Sequence, residues 1–226
     1  MNGINTFIFD MGNVLIDYNP FRIMEEIVGD WEAIPEIMAA TVFSPLWIEL
    51  DKGAVSQEDA VKTMVRQAPQ HQEKIQAVME RWDETLLPIP GMLELVSQLK
   101  AQATACTCFQ RSLRFYQYQN RFPVMKMMDS VHISASMRLI KPDPKIYQRV
   151  LEEQGLQPEA CLLIDDLKDN IQALRHAGFT AISFLRPTPS PTFCGGINFF
   201  HKIVFALFTF LFLECYNKRK SRRFFS

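Results

Sequence analysis

Asp10, Lys141, Asp165 and Asp166 are the residues of this chain whose types and settings suit them to carry a reaction. Asp10 ends the apolar run Ile4 to Phe9 and is followed by Met-Gly-Asn. Lys141 precedes Pro142-Asp143-Pro144 in a loop that opens a helix, and Asp165-Asp166 end the apolar run Cys161 to Ile164. In a parallel α/β sheet the loops after such strands share one edge, so these side chains would converge there. Two or three carboxylates at that edge suit a hard cation such as magnesium (Mg2+), which takes oxygen ligands and keeps several waters. A lysine beside them neutralises a phosphate oxygen or the charge developing on it. A carboxylate nucleophile forms a covalent intermediate that water then hydrolyses. Singly, each acid reads more simply as a helix cap and the lysine as a surface residue. Their joint arrangement favours a metal and phosphate site.

The elements that must position these residues alternate. Ile4 to Phe9 predicts a strand. Helical spacing follows from about Pro20 to Asp83, with Phe21, Met24, Ile27 and Val28 in one stripe and Ile34, Ile37 and Met38 in another. Asp51-Lys52-Gly53 breaks this stretch, and Ser56 with Asp59 three residues on restarts a helix. Little in it reads as strand, so it is expected to be an all-helical insertion. Beyond Pro90-Gly91 the pattern predicts a helix over Leu93 to Lys100 and strands over Ala103 to Phe109 and Ser130 to Ser134. A helix over Pro144 to Gln154, a strand over Cys161 to Ile164, a helix over Asn170 to Ala177 and a strand over Thr180 to Phe184 complete the series. The expected fold class is α/β, a doubly wound parallel sheet of Rossmann-like type with an inserted α-helical cap.

Bulk composition narrows the functional classes. Hydrophobic residues are 48% and charged residues 22% of 226, which fits a folded globular chain. A net charge of −1 argues for no nucleic acid partner, because such binding rests on many cationic contacts to phosphates. The five cysteines are scattered without zinc spacing and read as free thiols of a reducing, cytoplasmic setting. Met1 to Asp10 does not read as a signal peptide. His132 and His176 read as core or surface histidines, and Met125, Met127 and Met128 as packing.

The stretches FIFDMGNVLIDYN, RLIKPDPKIYQRVL and CLLIDDLKDNIQAL, in that order, resemble the first, third and fourth motifs of the haloacid dehalogenase-like superfamily. WIELDKGAVSQEDA is similar to the cap of its glucose-1-phosphate-type sugar phosphatases. The resemblance spans roughly residues 4 to 184. It implies a core over 1–18 and 85–186, a helical cap over 19–84, and a magnesium-dependent phosphatase acting on a small phosphorylated substrate, sugar phosphates favoured. By resemblance Asp10 is the nucleophile and a metal ligand, Gly12 offers its backbone carbonyl to the metal, and Asp166 is the second metal carboxylate. Lys141, Asn13 and Ser112 are placed on the phosphate, and Asp165 and Asn170 support the site. A cap closing over that site would exclude water and fits a small substrate better than a protein one.

Two departures qualify this expectation. Many relatives carry an Asp two residues after the nucleophile as proton donor, where this chain has Gly12. The second motif, a strand ending in Ser-Asn or Thr-Asn, is replaced by Phe109-Gln110, with Ser112 the nearest hydroxyl. Clean resemblance on both sides of 101–111 suggests a local reading-frame slip or a sequencing error. An alternative reading is therefore a catalytically impaired remnant or binding protein of the same fold. A metal-independent dehalogenase is disfavoured by the Asp165-Asp166 pair. The tail, 187–226, reads as an aberrant terminus first and as membrane-associating second. Its apolar stretch Phe199 to Leu213 holds His201 and Lys202, and the uninterrupted part is well short of the about 20 residues that span a bilayer.

Overall fold

The computed structural model describes residues 3–101 and 112–184, together with the backbone of 105–110; the tail assignments on 187–226, Phe199 to Leu213 among them, lie outside the described residues. Five parallel strands form the main sheet: β1 (Thr6–Asp10), β4 (Ala105–Gln110), β5 (Ser130–Ile133), β6 (Cys161–Asp165) and β7 (Thr180–Ser183), in the order β5-β4-β1-β6-β7. A two-residue ribbon, β2 (Ile16–Asp17) with β3 (Leu87–Pro88), is antiparallel. Between β2 and β3 run α1 (Pro20–Ile27), α2 (Ile34–Ala40), α3 (Pro45–Asp51), α4 (Gln57–Gln67) and α5 (Gln72–Arg81). The remaining helices are α6 (Met92–Lys100), α7 (Phe115–Tyr118), α8 (Ser134–Met137), α9 (Pro144–Gln154) and α10 (Lys168–His176).

Every residue of β1 and β6 is buried, as central parallel strands covered on both faces must be. Alternation sends Phe7, Phe9, Leu162 and Ile164 into one apolar cluster, and Ile8, Cys161 and Leu163 into another with α9 and α10. The sheet is thus wound on both faces, the expected fold class. The chain moves outward from β1 through β4 to β5, then returns past β1 to β6. That reversal opens a crevice at the carboxyl ends of β1 and β6, where Asp10 and Asp165 stand.

Local chemistry explains the element bounds. The α9 helix begins at Pro144 because Asp143 accepts the Lys145 N–H at 2.9 Å, and ends at Gly155, which takes φ +62°. Ser56 caps α4 by accepting from the Asp59 N–H at 3.1 Å, while its hydroxyl donates to the Asp59 carboxylate at 2.8 Å. β1 starts two residues later than the apolar run, and includes Asp10. α10 starts at Lys168, which puts Asn170 inside its first turn. The α1 stripe differs from the expected one. Ile23 and Met24 are its buried residues, whereas Phe21, at the exposed start of the helix, is 66% accessible. His132 is buried in β5 and His176 is exposed. Cys161 is a buried free thiol.

The helical insertion is fastened at its root. Both chain crossings pair in the β2–β3 ribbon, and Arg22 of α1 ties them with donations to the Asp17 carboxylate (2.8 Å), the Asp17 carbonyl (3.0 Å) and the Thr85 carbonyl (2.9 Å). Its buried residues, among them Met24, Ile37, Met64 and Val78, join the cluster that holds Phe7 and Phe9. Gly53 touches the main body directly: a Cβ there would lie 2.4 Å from the Ala135 carbonyl oxygen. No helix among the described residues is long and apolar enough to cross a membrane.

Gly53 and Gly29 both hold left-handed φ values, +67° and +65°, but a Cβ on Gly29 meets nothing nearer than 3.9 Å. Gly53→Ala is expected to destabilise by about 2–4 kcal/mol, backbone strain plus overlap, against about 1 kcal/mol for Gly29→Ala. Urea unfolding of the two variants checks the difference.

Candidate active site

Four segments meet at the crevice. β1 delivers Asp10 at its end, β6 delivers Asp165 and then Asp166, and the loop between α8 and α9 delivers Lys141. The fourth is β4, whose backbone register sets Phe109 opposite Asp10. Phe109 therefore stands where the sequence register put it, beside the end of β1.

Lys141 is almost wholly buried. Its Nζ donates to Asp10 Oδ1 at 2.6 Å and to Asp165 Oδ2 at 2.7 Å. Burial alone would lower its pKa, but the two carboxylates outweigh that and hold it above the ordinary lysine value. Asp165 is fully buried and accepts four hydrogen bonds from three donors. Asn170 Nδ2 reaches both its oxygens, at 2.9 and 3.0 Å, and the Leu167 N–H and Lys141 supply the others. A carboxylate has about four acceptor positions, so Asp165 is saturated by the protein. It anchors Lys141.

Asp10 and Asp166 face a cavity of about 260 Å³, whereas Asp165 and Lys141 lie behind its wall. Asp166 is half-buried, and its pKa is pushed up to about 6 by burial first and by the charges of Asp10 and Asp165 next. A hydrogen bond from the Asn13 side chain opposes this. Asn13 holds φ +58°, a conformation Asn tolerates, with its N–H on the Ile16 carbonyl at 2.7 Å. Its side-chain oxygen accepts from the Tyr18 N–H at 3.3 Å. Gly12 also lines the cavity; its φ is not left-handed and a Cβ there would meet nothing within 4 Å. Ser112 lines the wall too, its hydroxyl accepting from the Arg114 N–H at 3.2 Å.

One carboxylate oxygen from each of Asp10, Asp165 and Asp166 lies within 4.8 Å of the others. Among the described residues three acids stand against one ammonium, and Asp10 and Asp166 offer carboxylate oxygens to the cavity, donors that fit magnesium. The expected site residues Asp10, Gly12, Asn13, Ser112, Lys141, Asp165, Asp166 and Asn170 are thus gathered within one neighbourhood. Sequence reasoning passed over the cavity's other walls. Tyr18, Trp47, Trp82 and Tyr118 lie far apart in the chain, and each reads locally as packing. Arg114 was missed as well. It donates to Asp83 Oδ1 at 2.5 Å, to the Met79 carbonyl at 3.2 Å and to the Glu80 carbonyl, locking the insertion onto the segment after β4.

The raised pKa of Asp166 has a consequence for the metal-free protein. The folded state keeps this proton up to about pH 6, while the unfolded chain releases it near 3.8, so ionisation opposes folding as pH rises between the two. Asp166→Asn is therefore expected to stabilise the chelator-treated protein at pH 7 by about 1 kcal/mol, solvent screening included. The gain shrinks towards pH 4. Thermal unfolding at the two pH values reads this.

Comparison with known proteins agrees with the geometry. Residues 4–178 match the family model of the haloacid dehalogenase-like hydrolases. A sesquiterpene phosphatase of Aspergillus oryzae is 23% identical over 177 residues, 77% of this chain and 87% of its own length. A phosphorylated carbohydrates phosphatase of Thermotoga maritima is 28% identical over 191 residues, 77% of this chain and 82% of its own. The crystal structure of a family enzyme from Bacteroides thetaiotaomicron, in complex with magnesium and inorganic phosphate, superposes with a TM-score of 0.66 at 20% identity, covering 80% of this chain and 94% of that one. A sheet wound in this order, with the acids at the ends of β1 and β6, agrees with the match along most of the chain: the protein belongs to the haloacid dehalogenase-like hydrolase family.

Proposed function

We propose that this chain is a magnesium-dependent phosphomonoester hydrolase of small metabolites that works through an aspartyl-phosphate intermediate on Asp10. The observation that carries the proposal is the Asp10–Lys141–Asp165 cluster, with Asp166 open to the same cavity. The named phosphatases among the relatives support it.

Asp10 and Asp166, with the Gly12 carbonyl, would hold the cation, which when bound supplies positive charge to the phosphoryl oxygens. Asp10 attacks phosphorus, forming the acyl phosphate bond as the bond from phosphorus to the leaving oxygen breaks. The attack consumes the charge of Asp10. Lys141, held in place by saturated Asp165, then has its ammonium beside the transferred group and neutralises it. Asn13 and Ser112 bind phosphoryl oxygens. Water afterwards hydrolyses the intermediate and restores the carboxylate. Residues 1–18 and 85–186 form the catalytic core and 19–84 the cap, whose Trp47 and Trp82 line the cavity. Gly12 brings no proton to the leaving group, so the protein gives it no general acid at that position.

A second reading, a fold retained with impaired turnover, is favoured by one observation: Phe109 stands opposite Asp10 in the β1–β4 register, where a hydroxyl and amide are expected by resemblance. One experiment separates the two. Phosphate release from p-nitrophenyl phosphate is expected to require magnesium and to fall by at least about a thousandfold in Asp10→Asn. Absence of turnover in a folded wild-type protein would favour the impaired reading. Replacing Phe109 and Gln110 together by Ser and Asn is expected to raise kcat by about 10²–10³, the usual worth of a missing oxyanion donor.

A further inference from the structure

The cavity above Asp10 has an acidic floor, and its upper walls carry aromatic rings with a few polar groups among them. The upper walls are aromatic. Trp47 and Trp82 meet at 5.5 Å between ring centroids with planes 68° apart, Tyr18 lies 6.2 Å from Trp82 at 80°, and Tyr118 lies 6.0 Å from Trp82 at 76°. Leu50 and Met79 continue this surface. These rings stand edge to face, so they do not close on one another, and part of their surface lies on the cavity.

The upper polar groups are largely committed to the protein. Arg114 donates all three nitrogens to Asp83 and to the carbonyls of Met79 and Glu80. Gln57 donates its amide to the Met79 carbonyl at 3.2 Å. Asp51, buried in the same wall, is an acceptor. A polyol entering here would strip water from many hydroxyls and regain hydrogen bonds only at separate points of the wall, such as the Asp51 carboxylate and the Trp47 and Trp82 indole N–H groups, and each buried hydroxyl left unpaired is unfavourable. A ring or short hydrocarbon has no hydroxyl of its own to desolvate and gains contact with four aromatic side chains. At about 260 Å³ the space lies at the small end of ligand cavities, enough for one compact group above the phosphate.

Resting on the phosphatase reading above, we infer that the leaving group selected by this chain is a compact apolar alcohol, best an aromatic one, rather than a sugar. Trp47, Trp82, Tyr18 and Tyr118 determine the specificity. This selectivity differs from the sugar preference that the sequence resemblance implies, and the test below sets one against the other.

The test compares three alkyl phosphates with magnesium present: benzyl phosphate, glycerol 3-phosphate and glucose 6-phosphate. All three are esters of primary alcohols, and the two polyols bracket the benzyl group in size. The expected result is a kcat/KM for benzyl phosphate at least about tenfold above both polyols, with the ratio collapsing towards one in Trp47→Ala. Should that variant fail to fold, the wild-type ratio alone decides. Binding is read separately in Asp10→Asn by quenching of tryptophan emission, since two of the chain's three tryptophans line the cavity. Benzyl phosphate is expected to quench at concentrations at least about tenfold below glycerol 3-phosphate. Equal or better turnover of either polyol overturns the inference and leaves the phosphatase reading standing. No phosphate release from any ester, with the quenching order intact, overturns the phosphatase reading and keeps the apolar pocket. Failure of both orders overturns the inference outright.

Discussion

One ammonium shared between two buried carboxylates organises this molecule. Lys141 draws the ends of β1 and β6 to the loop before α9, with Asp10 131 residues and Asp165 24 residues away in the chain. Taking such charges from water is unfavourable, and removing one partner from a buried pair typically destabilises by about 3–5 kcal/mol because the other is left uncompensated. The fold therefore tolerates this cluster only while it is complete. Asn170 and the Leu167 N–H complete it by occupying the remaining acceptor positions of Asp165. Asp166 differs. Among the described residues no cation pairs with it, and burial first, then the charges of Asp10 and Asp165, push its pKa up to about 6. One acid is neutralised by the chain itself, and the next faces the cavity with no cationic partner among the described residues.

Above this floor the architecture separates two tasks. The sheet, wound on both faces, fixes where the acids stand. The helical insertion supplies most of the aromatic surface above them and is held down by arginines of both parties, Arg22 at the root and Arg114 at the far side. Arg114 spends its donors on backbone carbonyls as well as on Asp83, so the contact depends on the path of the helical segment as much as on its side chains. Gly53 adds a close backbone approach to Ala135 that no other residue type would permit. The insertion is thus seated by shape as well as by charge.

The fold was largely legible in the residues, and for physical reasons. Strands buried on both faces read as unbroken apolar runs, and Cys161 to Ile164 is one. Asp143-Pro144 at one end and Gly155 at the other delimit α9 because capping and left-handed φ are local chemistry. The acids were legible for the same reason: a carboxylate that ends a buried strand is conspicuous. What was not legible is what depends on contacts between distant residues. The β2–β3 ribbon is too short to show a period. Phe21 and Ile23 offer α1 two competing apolar stripes, and only packing against the other helices selects the one containing Ile23 and Met24. The aromatic wall is assembled from positions 18, 47, 82 and 118, no two of them neighbours in sequence.

The ribbon at the insertion's root carries a consequence for how such a protein can change. Because Asp17 and Leu87 are paired, the sheet sees the whole intervening segment as if it were a hairpin loop, whatever its length. Lengthening a closed loop adds only about 0.6 kcal/mol per doubling. Helices can therefore be exchanged, shortened or enlarged between these two points while the catalytic floor keeps its geometry. On the proposed reading selectivity is a cassette, able to evolve at a rate of its own while the reaction beneath it stays the same.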